Sequence, residues 1–194
     1  MKKKEDIEKI LTASLRIFGQ YGYKKATVED IAAELNMTKG NLYLYAKNKK
    51  DLYQKTVAFA LLKWQSMVRK RVEKEKDARQ KFLVMCYKAV EYLSVDKDLQ
   101  QILVRDPDIF PMFPGQDPYE EINQASKEMV RRILEQGIKE KTIRDVDTDR
   151  ISEVVFSIYK MFIIRTYIKE EEGAIKQLFA DTVDLFTRGL FLDD

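Results

Sequence analysis

The chain has 194 residues, 45% of them hydrophobic, with 35 Lys/Arg against 32 Asp/Glu for a net charge of +3, so it can bury a real core in one domain or in a small domain plus a larger one. It contains no histidine, which excludes His-based triads, the usual imidazole base and nearly all zinc or haem ligation through imidazole; no paired carboxylates stand at a telling spacing, and no catalytic residue, metal or cofactor is expected. The single cysteine, Cys86, excludes an intramolecular disulfide, and together with a charged start and no apolar run near the ~20 residues a membrane span needs, it leads to the expectation of a cytoplasmic protein.

Almost the whole chain reads as amphipathic helix, without a convincing period-two strand. Ile7, Ile10, Leu11, Ile17, Phe18 and Tyr21 repeat at helical spacing, and Gly22 is expected to end the first helix. Thr27 with Asp30 forms a capping pair for a short second helix with Ile31, Ala32 and Leu35 on its apolar side. Asn36 suits the left-handed turn that stops it. Thr38 caps a third helix whose first turn is Lys39-Gly40-Asn41, where a cation, a carboxamide and a free helix start favour nucleic acid. The spacing predicts a helix-turn-helix.

Asn48 caps a long fourth helix with the stripe Leu52, Val57, Leu61, Trp64 and Val68. A fifth carries Phe82, Met85, Cys86, Ala89 and Leu93, and Asp96 caps a sixth that runs to about Arg105. All four prolines then fall between residues 107 and 118, which predicts a non-helical connection ending with Asp117 as cap and Pro118 as the first residue of helix seven. Helix eight starts near Asp147, and helix nine follows a break near Gly173. The prediction is an all-α protein of about nine helices. Charge is uneven along it: residues 1–50 hold eleven Lys/Arg and six Asp/Glu, a net of +5, against −2 for the remainder. A basic amino-terminal quarter is expected where phosphates dock.

The pattern Phe18…Tyr21-Gly22-Tyr23…Ala26-Thr27-Val28…Ile31-Ala32…Leu35-Asn36-Met37-Thr38-Lys39-Gly40-Asn41-Leu42-Tyr43…Tyr45…Lys47-Asn48-Lys49-Lys50-Asp51-Leu52 resembles the amino-terminal domain of the TetR family of bacterial regulators, over roughly residues 5–55. It departs from the family at Leu44, where the second of an aromatic pair is common, and at Ala46, where Phe is common. The resemblance implies a three-helix DNA-binding domain, residues 1–47, and a helical bundle, residues 48–194, that binds a small molecule and dimerises through the last two helices. Phe156, Ile164, Tyr167 and Val183 lie outside the main stripes of those helices and independently ask for a second surface.

A two-fold dimer presents its reading helices to successive major grooves roughly 34–36 Å apart, so the expected target is double-stranded DNA with an inverted repeat. Thr27, Thr38, Tyr43 and Lys49 are candidates for phosphate, with Lys47 beside them. Lys39 and Asn41 are candidates for base edges, and Gly40 for close backbone approach. Candidate ligand-lining residues are Trp64, Met67, Met85, Tyr92, Phe110, Met112, Phe113, Tyr159, Phe162 and Arg165. The expected function is a transcriptional regulator, a repressor released by a hydrophobic or amphipathic effector. Two alternatives are a regulator of the same fold without an effector and, with little support, an α-helical enzyme.

Overall fold

The computed structural model describes residues 2–106, 109, 117–168 and 172–192, leaving aside the side chains of 2–5, 167–168 and 172–174. Among the described residues there are nine α-helices and no named strand; the single bridge pairs Ile143 with Phe191. The all-α reading is correct. The chain divides into two compact units, Met1–Lys63 with Asp96–Pro118, and Trp64–Val95 with Tyr119–Asp194.

The first unit holds α1 (Lys2–Lys25), α2 (Val28–Glu34), α3 (Lys39–Leu42), the first turns of α4 (Lys49–Val72) and α6 (Lys97–Arg105). Its core joins Phe18, Ile31, Leu42, Leu52, Val57, Leu99, Ile102 and Leu103, all almost fully buried. Helix α6 lies along α1, and the approach is close at Gly19, where an added Cβ would stand 3.1 Å from the Asp98 carbonyl oxygen. Asp96 caps α6 through the Leu99 N–H at 3.0 Å, as its sequence position predicts. Gly22 breaks α1 at φ 75°, a backbone region that favours glycine. As expected, the first helical run ends there, and a separate short turn follows to Lys25, with the Ala26 N–H donating back to the Gly22 carbonyl at 3.0 Å.

The second unit contains the rest of α4, α5 (Ala78–Val95), α7 (Glu120–Lys139), α8 (Thr148–Ile163), a π-helical turn (Ile164–Ile168) and α9 (Glu172–Leu190). Phe82, Val130, Ile133, Leu134, Val155, Val183 and Phe191 form its core. Val183, read from the sequence as off the main stripe, is therefore covered within one subunit. Cys86 sits in this core, and burial pushes its thiol up to about 12, so it stays protonated. The turn after α7 is tied to the last residues: Arg144 N–H donates to Leu190 O at 3.0 Å and Leu192 N–H to Thr142 O at 2.9 Å.

One helix start differs from the position expected of it. Helix α7 begins at Glu120, with Tyr119 rather than Asp117 before it. Tyr119 is buried, and its carbonyl takes the Ile122 and Asn123 N–H groups, both at 3.0 Å; burying that ring sets the entry of the chain, which no local capping pattern encodes. Helix α9 begins at Glu172, beside Gly173, where the sequence places its start. Asp147 caps α8 as expected, accepting the Arg150 N–H at 2.9 Å.

Candidate nucleic-acid interface

The two short helices are held by local bonds that their sequence encodes. Thr27 Oγ1 accepts the Asp30 N–H at 3.0 Å, while Asp30 Oδ2 accepts the Thr27 N–H at 2.9 Å and the Thr27 hydroxyl at 2.6 Å. This reciprocal capping box fixes the start of α2, and the Thr27 hydroxyl and N–H hold the Asp30 carboxyl below the usual aspartate range. At the other end Asn36 takes φ 53°, with its N–H on the Ala33 carbonyl at 3.0 Å and the Met37 N–H on the Ala32 carbonyl at 2.9 Å. That pair of bonds is a Schellman closure and reverses the chain toward α3. Thr38 Oγ1 then accepts the Asn41 N–H at 3.2 Å and starts α3.

One buried residue, Leu42, anchors α3, and Ala46 follows beneath the surface. Packing those two inward turns Lys39, Gly40, Asn41 and Tyr43 outward, and all four are exposed. The Asn41 carboxamide has no hydrogen bond among the described residues, which leaves one acceptor and two donors for another molecule. Gly40 has only Thr38 Oγ1 near an added Cβ, at 3.8 Å. Nothing inside this unit therefore demands a glycine there.

The cations differ from one another more than the sequence suggests. Lys39 Nζ is 2.6 Å from Glu29 Oε1 and 5.8 Å from the centre of the Tyr43 ring. The Lys39 ammonium holds the Glu29 carboxyl below its ordinary range, and Glu29 raises Lys39 in return. Lys49 is folded onto its own unit: Nζ donates to the Lys24 carbonyl at 3.3 Å and lies 4.8 Å from the Tyr23 ring centre. Lys47 uses its N–H on Asp51 Oδ2 at 2.8 Å, but its side chain is exposed. The Asp51 N–H donates to Asn48 Oδ1 at 2.9 Å, the cap expected for α4.

Two further side chains stand out on this surface, Glu29 and Leu44. Glu29 reads as an ordinary acid in a first helical turn, and a partner ten positions on has no helical periodicity to reveal it. Leu44 is 81% exposed directly beside Tyr43, which is 40% exposed.

The predicted ligand residues between 64 and 92 and between 159 and 165 fall in the second unit and separate into groups. Met85 is core, and Trp64, Tyr92 and Tyr159 pack against the same cluster. The Trp64 and Tyr159 rings lie 6.1 Å apart, and Trp64 Nε1 donates to the Ala89 carbonyl at 2.9 Å. Phe162 is buried and meets Phe179 edge-on at 5.1 Å. Met67 is exposed, and Arg165 is half-buried in the π turn. Phe110, Met112 and Phe113 lie outside the described residues. An open groove in the first unit, lined by Glu8, Lys9, Thr12, Ala13, Arg16, Leu35 and Asp98, includes none of these candidates.

Residues 10–56, which hold this capped helix pair, match the family described as bacterial regulatory proteins, tetR family. Over 177 residues the chain is 22% identical to the uncharacterized HTH-type transcriptional regulator YhgD of Bacillus subtilis, covering 91% of this chain and 92% of that protein. A 50-residue stretch is 34% identical to IcaR of Staphylococcus epidermidis, the biofilm operon icaADBC negative transcriptional regulator, over 26% of this chain and 27% of that one. The fold also superposes on the transcriptional regulator FadR of Bacillus subtilis in complex with stearoyl-CoA, with a TM-score of 0.76 at 18% identity, covering 94% of this chain and 98% of that structure. No helix among the described residues is long and apolar enough to cross a membrane. The capped helix pair, with Lys39, Asn41 and Tyr43 turned outward, lies in the stretch that matches the tetR family of bacterial regulatory proteins, and over nearly its whole length the chain is similar to a transcriptional regulator of the helix-turn-helix type.

Proposed function

We propose that the protein is a repressor that binds an inverted-repeat operator as a homodimer and is released from it by a hydrophobic or amphipathic small molecule. The observation that carries the DNA half is Asn41: an exposed, hydrogen-bond-competent carboxamide on a short capped helix, next to a glycine that the fold does not require. Asn is suited to adenine N6 and N7, and Lys39 to guanine. In this reading Thr27, Thr38, Tyr43, Lys47 and Lys49 face phosphates, residues 1–47 read DNA, and residues 48–194 bind the effector and dimerise through α8 and α9. Exposed Val154, Met161, Leu178 and Leu185 on those two helices support a second copy as their cover. The negative regulation named for IcaR supports repression, and the stearoyl-CoA complex of FadR supports an acyl-bearing effector. The protein acts in the cytoplasm and carries no enzyme activity.

A regulator without an effector draws on a different observation. Met85 and Phe162 are buried, and Trp64 and Tyr159 rest on the same core as Met85, which is what a filled interior does with its aromatics. Selecting bound duplexes from a random pool tests the operator: recovered palindromes with half-sites one helical turn apart, or a multiple of it, are expected. A thermal melt with long-chain acyl-CoA separates the two readings, since a ligand of the folded state raises the midpoint. Release of the operator by the same compound completes the repressor reading. An unchanged midpoint, with DNA binding intact, favours the regulator without an effector.

A further inference from the structure

We propose that Glu29 is a specificity-determining residue, which goes onto the duplex still paired with Lys39 and lowers affinity for arbitrary DNA while demanding a G·C pair at the operator. The inference deepens the DNA reading above and rests on it. Lys39 is the base-reading cation, and Glu29 Oε1 is 2.6 Å from its Nζ, so whatever Lys39 meets, Glu29 meets too. Besides this pairing, the carboxylate stands in the first turn of α2, a place any acid would serve equally well. Thr27 and Asp30 already cap α2 between them, and Glu29 is exposed with Lys39 as its ion-pair partner. An exposed acid in a unit that also exposes Lys24, Lys25, Lys47 and Lys50 opposes phosphate where α2 and α3 meet a duplex. Only a partner that donates to it removes that penalty. The base edge that does so in the major groove is the cytosine N4 amino group, while Lys39 donates to guanine O6 and N7 of the same or the adjacent pair.

The test uses the full-length protein, as wild type, Glu29→Gln and Glu29→Ala. Affinities are measured across a salt series for the selected operator, for that operator with each G·C pair of the half-site changed in turn to A·T, and for a random duplex. Glu29→Gln should tighten the random duplex about tenfold. It should also lower discrimination against one particular G·C→A·T change by about tenfold. Glu29→Ala should do the same, with urea midpoints of both variants moving only slightly, as for an exposed ion pair. Random-duplex affinity that stays level or falls, or a variant that weakens every duplex by one common factor, overturns the proposal. A wild type that selects no sequence from the pool overturns the operator reading instead, and the random-duplex arm still judges the Glu29 penalty.

Discussion

The amino-terminal unit places its distinctive polar side chains at the surface in bonds that span three or four residues, such as Thr27 with Asp30, Thr38 with Asn41 and Asn48 with Asp51. The carboxyl-terminal unit places its distinctive side chains, Phe82, Met85, Trp64 and Tyr159, against one another across helices far apart in sequence. The two units are therefore vulnerable in different ways. If α3 reads DNA as proposed, a change among its exposed side chains alters what the protein binds and leaves the core untouched. A change in the second unit first alters whether that unit is folded, and only through that any ligand it takes.

The largest effect expected from this contrast is on stability. Phe82 is fully buried and meets Phe186 and Phe191 edge-on at 6.4 and 5.9 Å. Phe82→Ala should cost roughly 3–5 kcal/mol by urea denaturation, since the removed ring leaves a cavity that its neighbours only partly fill. A loss below ~1 kcal/mol would mean that the unit repacks freely and is not a specific core. Asn41→Ala is the counterpart on the reading face. It should cost about 1–3 kcal/mol in operator affinity and relax sequence preference at one position, read by gel shift at fixed salt. The urea midpoint should not move, because the carboxamide bonds nothing in its own chain. A shifted midpoint would break the comparison.

What was legible in the sequence follows the same division. The caps at Thr27, Thr38, Asn48, Asp96 and Asp147 and the left-handed Asn36 could be read because each is decided within four residues. The start of α7 could not, since buried Tyr119 sets it and burial depends on the whole unit. The pairing of Lys39 with Glu29 and of Lys49 with the Lys24 carbonyl spans ten and twenty-five residues, beyond any helical period. For Met85 and Tyr159 the stripe correctly gave an inward face. A stripe reports that a side chain leaves water; it does not distinguish a filled core from a pocket wall.

Thr27→Ala tests the local side of the comparison at smaller amplitude. Losing the capping box should cost about 1 kcal/mol of stability. It should also change the acid limb. Thr27 holds the Asp30 carboxyl below its ordinary range, so the stabilisation from that carboxylate is complete above the ordinary aspartate range and is lost as pH falls through the lowered value. In Thr27→Ala the hydroxyl's share is absent, and the fall in urea midpoint on acidification should be shallower than in wild type. Equal slopes would remove the cap from the account of stability.

The smallest effect separates two lysines that sequence alone treats alike. Lys47 has an exposed side chain, so Lys47→Ala should weaken every duplex by about the same factor and lower the slope of log affinity against log salt by about one, the signature of one lost phosphate contact. Lys49 already donates to the Lys24 carbonyl at the end of α1 and lies over the Tyr23 ring. To reach a phosphate it must keep or exchange those partners, so Lys49→Ala should shift the urea midpoint slightly downward while changing the salt slope less than Lys47→Ala does. Identical behaviour of the two variants in both measurements would mean that the Lys49 contacts to α1 carry no weight, and that the reading face is a uniform field of cations rather than a set of individually placed ones.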